Sequence, residues 1–191
     1  MSKNILLLNA NPKTESFARV LADAYEVEAR EQFTVHRVNL SDMDFNPNLV
    51  AGYDAIQPLE PCLEAFQRQL AGADHLVLIS PIWWGGIPAK FKGLIDRAIL
   101  PGFAFQFEEN NPYPVQLLQG KTARIILSMD APAELQAEQA EPVQAQLDRF
   151  TLQFCGVSPA DTTLLGSVIS STETQRDSWL REIQALGRQG S

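Results

Sequence analysis

Residues 5–24 read ILLLNANPKTESFARVLADA, and this stretch decides the fold. Ile5–Leu8 is an unbroken apolar run, the pattern of a strand covered on both faces in a parallel sheet. A polar loop, Asn9–Ser16, follows it. Phe17, Val20, Leu21 and Ala24 then recur at helical spacing, with Ser16 placed as the N-cap. Strand, short loop and amphipathic helix make the opening half of a β–α–β unit.

The alternation continues along the chain. Phe33–Leu40 reads as a second strand, followed by a loop holding Asn46-Pro47-Asn48 and Gly52. Leu59–Leu70 is a second helix ended by Gly72, and Leu76–Ile79 is a third strand. Pro88 suits the first position of a third helix, in which Leu94, Ile95, Ala98 and Ile99 share a face until Pro101-Gly102 stops it. Lys121–Met129 holds the fourth strand, and a fourth helix places Val143, Leu147, Phe150 and Phe154 on one side. Thr163–Ile169 is a short fifth strand. Thr172 and Gln175 then start a last helix whose Trp179, Ile183 and Leu186 face inward. Neither a repeat nor a low-complexity linker interrupts the series, so residues 1–191 are expected to form one domain. Five strands with crossover helices imply a parallel sheet with helices on both faces. Ligands of such sheets lie beyond the carboxyl ends of the strands.

Composition removes several functions. The formal charge of −8 opposes binding to nucleic acid and to anionic membrane surfaces. No apolar run approaches the roughly 20 residues of a transmembrane helix, and the first residues lack the order of a signal peptide; a cytoplasmic protein is expected. Cys62 and Cys155 are far apart and His36 and His75 stand alone, so no metal site is expected.

Three loops leave the sheet where a ligand would sit. Asn9–Ser16 joins a buried strand to a helix N-terminus, and Asn11, Thr14 and Ser16 add neutral donors of the kind a phosphate needs. The loop is neither a P-loop nor a GxGxxG turn, and a plain capped β–α turn is the alternative reading. The second loop is the most specific: Ser80-Pro81-Ile82-Trp83-Trp84-Gly85-Gly86-Ile87-Pro88. Two adjacent tryptophans cannot both enter one core, and the glycine pair admits close approach of the backbone. A flat aromatic ligand fits this pattern; packing of the tryptophans on helices or a second subunit is the alternative. The third loop is Ser128–Glu138; Asp130 on it is an ionisable candidate, and a solvated carboxylate is its plainer reading.

Ser80–Phe107 resembles the flavin-contact segment of the NAD(P)H:quinone oxidoreductases of flavodoxin-like fold. It carries Pro81, Trp84, Pro88-Ala89, Lys92 and Asp96-Arg97 at the family's spacing, followed by Gly102-Phe103-Ala104-Phe105. Ser16-Phe17 resembles the phosphate-loop pair, and Phe154-Cys155-Gly156 a signature after the fourth helix. The resemblance implies a flavodoxin-like three-layer sandwich with strand order 2-1-3-4-5. It also implies a tightly bound flavin, with FAD favoured over FMN, NAD(P)H as donor and ping-pong hydride transfer to a quinone or similar small acceptor. Asn11, Ser16 and Phe17 would meet the phosphate region. Pro81, Ile82, Trp83, Trp84 and Gly85 would line the ring, joined by Ser128, Met129 and Asp130. Phe105, Phe107 and Trp84 would line the substrate pocket, the two phenylalanines reaching over from the partner of a homodimer.

The chain departs from that pattern. Ser128–Leu135 lacks the family's Thr-Thr-Gly-Gly and the Tyr and His after it, Phe105 and Phe107 lack the hydroxyls of family tyrosines, and Ala18 replaces an Asn. No catalytic side chain is therefore assigned. A regulatory flavoprotein acting on a partner protein is the alternative function. A one-electron carrier is disfavoured, because Phe103–Phe107 reads as a lid rather than an open ring edge.

Overall fold

The computed structural model describes residues 2–191. Strands β1 (Asn4–Asn9), β2 (Thr34–Asn39), β3 (His75–Pro81), β6 (Thr122–Ser128) and β7 (Asp161–Leu165) form one sheet in the order β2-β1-β3-β6-β7. Every pairing is parallel, with Leu6 opposite both His36 and Leu76, and Ile126 opposite both Ile79 and Thr163. This is the expected 2-1-3-4-5 order of core strands. An antiparallel ribbon of β4 (Phe105–Gln106) and β5 (Val115–Gln116) lies outside it and has no counterpart in the sequence reading. Two-residue strands carry too little periodicity to be seen.

The central strands are buried because both faces are covered. All seven residues of β3 are buried, as are the last five of β1. Alternate residues feed two cores. Leu6, Leu8, Leu76, Leu78, Ile125 and Leu127 face α2 (Pro61–Gly72), α3 (Ala89–Ala98) and the segment after α4 (Ala133–Gln144). Ile5, Leu7, Val77, Ile79 and Ile126 face α1 (Phe17–Ala29) and α5 (Glu173–Gln189).

Several boundaries differ from expectation. The fifth strand runs from Asp161 to Leu165 rather than Thr163 to Ile169, because Asp161, Thr162 and Thr163 are the partners of Arg124, Ile125 and Ile126. Pro88 is the N-cap of α3, with ψ 140°, not its first helical residue, and Gly72 is the last helical residue of α2. The helix after β6 changes winding: Ala145–Leu152 is a π-helix, followed by a 3-10 turn over Gln153–Cys155. Wider turns rotate side chains off the 3.6-residue phase. Leu147 and Leu152 are therefore the buried pair, whereas Phe150 is 65% exposed. The expected face of Val143, Leu147, Phe150 and Phe154 holds only for its first two members.

Helix α3 also holds the long connection between β2 and α2. Gly93 lies directly against Pro47, and a Cβ there would collide with the Pro47 ring and backbone. Lys90 donates to the Met43 carbonyl at 2.6 Å and stands over the Phe45 ring. Arg97, 1% exposed, donates to the carbonyls of Asn46 and Pro58 and to both carboxylate oxygens of Glu60. Basic side chains on a helix usually lie in solvent. Lys90 and Arg97 are instead clamps, because this loop packs back on α3. Lys92 is the solvated one, paired with Asp96 at 2.6 Å.

Candidate active site

The loops after β1, β3 and β6 leave the same edge of the sheet. The ladder is kept to that edge by hydrogen bonds from Ala10 N–H to the Ile79 carbonyl, from Ile82 N–H to Ser128 and from Met129 N–H to Leu165, each 2.8–2.9 Å. The direction in which successive strands are added to the sheet reverses between β1 and β3, since β2 lies on one side of β1 and the later strands on the other. This is the position at which doubly wound sheets bind ligands.

The first loop is built by its asparagines. Asn9, fully buried, accepts from Asn11 N–H at 3.2 Å, and Asn11 accepts from Lys13 N–H at 3.0 Å. The Asn11 carbonyl oxygen thus shapes the loop, which leaves its amide nitrogen as the free donor. Ser16 caps α1, its Oγ accepting from Arg19 N–H at 3.2 Å. Phe17 and Ala18, the first two helical residues, lack intrahelical partners for their N–H groups, as every helix start does. The Phe17 ring packs on Trp179 of α5, with centroids 5.9 Å apart, so its backbone and not its ring faces the loop's ligand side.

The second loop is a two-residue reverse turn. Trp83 and Gly86 exchange hydrogen bonds of 2.9 and 3.0 Å, with Trp84 at φ 54° and Gly85 at φ 67° between them. Positive φ at both central positions is a type I′ turn. Gly85 is therefore required by backbone conformation, and a Cβ on it would meet no protein atom within 4 Å. Trp84 is a bulky residue held left-handed, a conformation costing roughly 1–2 kcal/mol. Its side chain is fully exposed, Trp83 is 42% exposed, and neither enters the core. Ser80, Pro81 and Ile82 are buried beneath them, and the Ser80 hydroxyl donates to the Pro81 carbonyl.

The third loop completes a cleft of about 530 Å³. Ile82, Trp84 and Gly85 form one wall, and Met129, Asp130 and Ala131 another. Pro132, the N-cap of α4, and Gln139, midway along that helix, complete the lining; neither was named as a site residue from the sequence, since their approach depends on the direction in which α4 leaves the sheet. Ser128 is 8% exposed and lies under the cleft as the last residue of β6. Asp130 accepts from Ile169 N–H at 2.7 Å, so one oxygen ties the β6 and β7 loops together. Cleft polarity comes from Asp130 and Gln139 alone among its lining residues; the rest are apolar or glycine.

Phe105 and Phe107 stand elsewhere. Phe105 is only 7% exposed and meets Phe107 and Phe154 edge-on, with centroids at 5.7 and 5.1 Å. The Phe105 ring thus packs within its own chain, and it also borders the cleft that Phe107 lines. Phe107, 58% exposed, keeps its freedom. With Tyr53, Phe150 and Phe154 it lines a second, apolar cleft of about 620 Å³ between α3 and the π-helix. Among the described residues no group of three metal-ligating side chains occurs, and both cysteines are free; burial pushes the Cys155 thiol up to about 11.

Comparison with known proteins gives a consistent picture. A family profile described as "Flavodoxin-like fold" matches residues 3–186. An uncharacterized NAD(P)H oxidoreductase of Haemophilus influenzae is 27% identical over 174 residues, covering 86% of this chain and 84% of the relative. An FMN-dependent NADH:quinone oxidoreductase of Xanthomonas euvesicatoria is 26% identical over 178 residues, covering 91% and 89%. The solved NAD(P)H:quinone oxidoreductase of Methanothermobacter marburgensis superposes with a TM-score of 0.82 at 23% identity, covering both chains fully, which is a likeness of fold.

Proposed function

Because the chain belongs to the flavodoxin-like fold family, we propose that it is a flavin-dependent NAD(P)H:acceptor oxidoreductase that reduces quinones or similar small ring compounds by ping-pong hydride transfer. The observation that carries this reading is the cleft at the switch point, which an exposed, left-handed Trp84 lines together with apolar Ile82 and Met129, on the same sheet edge as the donor-bearing loop after β1. Those residues fit a flat ring with a phosphate tail. Asn11, Ser16 and the N–H groups of Phe17 and Ala18 would hold the phosphate. Pro81, Ile82, Trp83, Trp84 and Gly85 would hold the ring from one side, with Ser128, Met129 and Asp130 on the other. The flavin, when bound, supplies the hydride chemistry. The chain's residues orient the rings: Trp84 offers a stacking face, and the Ile82 and Met129 walls exclude water.

Relatives whose names specify a flavin use FMN, whereas the Gly102–Phe105 stretch resembles FAD users. Mass measurement of the nucleotide released by heat decides between them. The reading also takes residues 1–191 as one domain of a cytoplasmic homodimer; no helix is long and apolar enough to cross a membrane. The exposed rings of Phe107, Phe150 and Tyr53 around the second cleft support a two-fold interface there.

Titration of the purified protein with FMN and FAD, followed by flavin fluorescence and melting temperature, tests the proposal. Binding near one flavin per chain with a raised melting temperature, and NAD(P)H oxidation that depends on an added quinone, is the expected result. A protein whose melting temperature neither flavin changes would overturn it.

A further inference from the structure

The cleft has one charged side chain, and it is fixed in place. Asp130 lines the same cleft as Trp84 and Met129, and its Oδ1 is held by Ile169 N–H at 2.7 Å. No cation forms an ion pair with it among the described residues. The remaining wall is apolar apart from the neutral amide of Gln139. Asp130 is exposed at the rim of the cleft, so water screens it in part, and a ring compound stacked within a few ångströms feels its charge at short range. The chain's net charge of −8 adds a weaker, longer-ranged field of the same sign.

We propose that Asp130 selects acceptors by charge, admitting neutral and cationic ring compounds to the cleft and rejecting those that carry a sulfonate or carboxylate on the ring. This rests on the oxidoreductase reading for the identity of the acceptors, but the charge selection is a property of the cleft itself. Asp130 is then a specificity-determining residue. Its hydrogen bond to Ile169 gives it the fixed position that selection needs, since a freely rotating carboxylate would swing toward water and away from the ligand.

Asp130→Asn is the useful variant, because the amide oxygen still accepts from Ile169 N–H while the charge is gone. Asp177→Asn, which removes one charge from the exposed face of α5, controls for the global field. Two measurements are made on all three proteins at low salt. The first is the ratio of kcat/KM for 1,2-naphthoquinone to that for 1,2-naphthoquinone-4-sulfonate. Comparing this ratio between proteins cancels the different intrinsic reactivities of the two quinones. The second is binding of 2-naphthol and naphthalene-2-sulfonate, neither of which is reduced, followed by ligand-observed NMR. Asn at 130 is expected to shift both ratios toward the anion by about three- to tenfold, and Asn at 177 to leave them within twofold. In wild type the discrimination should shrink as salt rises to 0.5 M. Ratios that do not move in the Asp130 variant, or that move equally in the Asp177 variant, overturn the proposal. The binding arm is read whether or not the protein holds a flavin. Charge selection without flavin uptake would therefore sink the oxidoreductase reading and spare this one, and flavin turnover without charge selection would do the reverse.

Discussion

Trp84 and Gly85 occupy the two left-handed positions of one turn, yet of the two only glycine suits such a position. In a surface turn that serves nothing, Asn-Gly would be the stable choice. Trp84→Asn is therefore expected to stabilise the protein by about 0.5–1 kcal/mol, since Trp84 is fully exposed and no burial is lost. A rise of roughly 2–3 °C in melting temperature would register it. The same variant should weaken flavin or quinone binding by about tenfold, through loss of the stacking face. A stabilised variant with unchanged affinities would show that the ring does not use Trp84. Gly85→Val should cost stability by the mirror argument, even though space for its side chain is open. Trp-Trp-Gly-Gly was legible in the sequence as a loop with exposed aromatics. That the glycine serves the turn before it serves any ligand needed the dihedral angles.

At the scale of elements, α3 joins the ligand loop at its start to the β2–α2 connection along its side. Arg97→Ala removes the donor shared by two carbonyls and Glu60 and leaves that acceptor set without its cation. A loss of about 2–4 kcal/mol is expected, measured as a lower urea midpoint with an unchanged slope. Gly93→Ala should be destabilising as well, because Pro47 would have to move. Protection of amides in residues 43–60 from hydrogen exchange should fall in both variants ahead of the sheet. The sequence reading could not see this clamp. Lys90, Gly93 and Arg97 fall on one helical face, but a mixed set of two cations and a glycine looks like a solvated surface until the loop is laid on it.

For the whole molecule, acid sensitivity is expected from His75. It is buried at the start of β3, with Nδ1 2.6 Å from Thr122 Oγ1. Burial, aided by the positive charges of Lys3 and Arg124, brings its pKa down to about 4. The unfolded chain, with a pKa near 6.5, binds the proton first, so stability is lost as pH falls from about 6.5 toward 4. The loss should reach up to about 3 kcal/mol. Urea midpoints at pH 7, 5.5 and 4.5 would show it, and His75→Asn should flatten the curve over that window. Phe150, exposed on the π-helix beside Phe107, belongs to the proposed subunit interface. Phe150→Asp is expected to shift sedimentation from dimer to monomer at micromolar concentration while the fold by circular dichroism is kept; a wild-type protein already monomeric there removes the dimer.

The sequence by itself determined the sheet, the order in which strands and helices alternate, and the three loops that meet at the site. Each follows from a signal local to a few residues: a continuous apolar run for a strand covered on both faces, a 3.6-residue period for a helix, Ser16 and Thr172 for helix starts. Only the tertiary structure decided what depends on contacts between distant segments. Phe105 could be a lid or a core residue until Phe154, 49 positions later, was found against it at 5.1 Å. Phe150 left its expected face because the backbone winding changed, which no hydrophobic period records. Arg97 became buried because carbonyls of a loop 39–51 residues away turned toward it. Burial and hydrogen bonding are satisfied by whichever groups the folded chain brings together, and a one-dimensional pattern carries their chemistry without their partners.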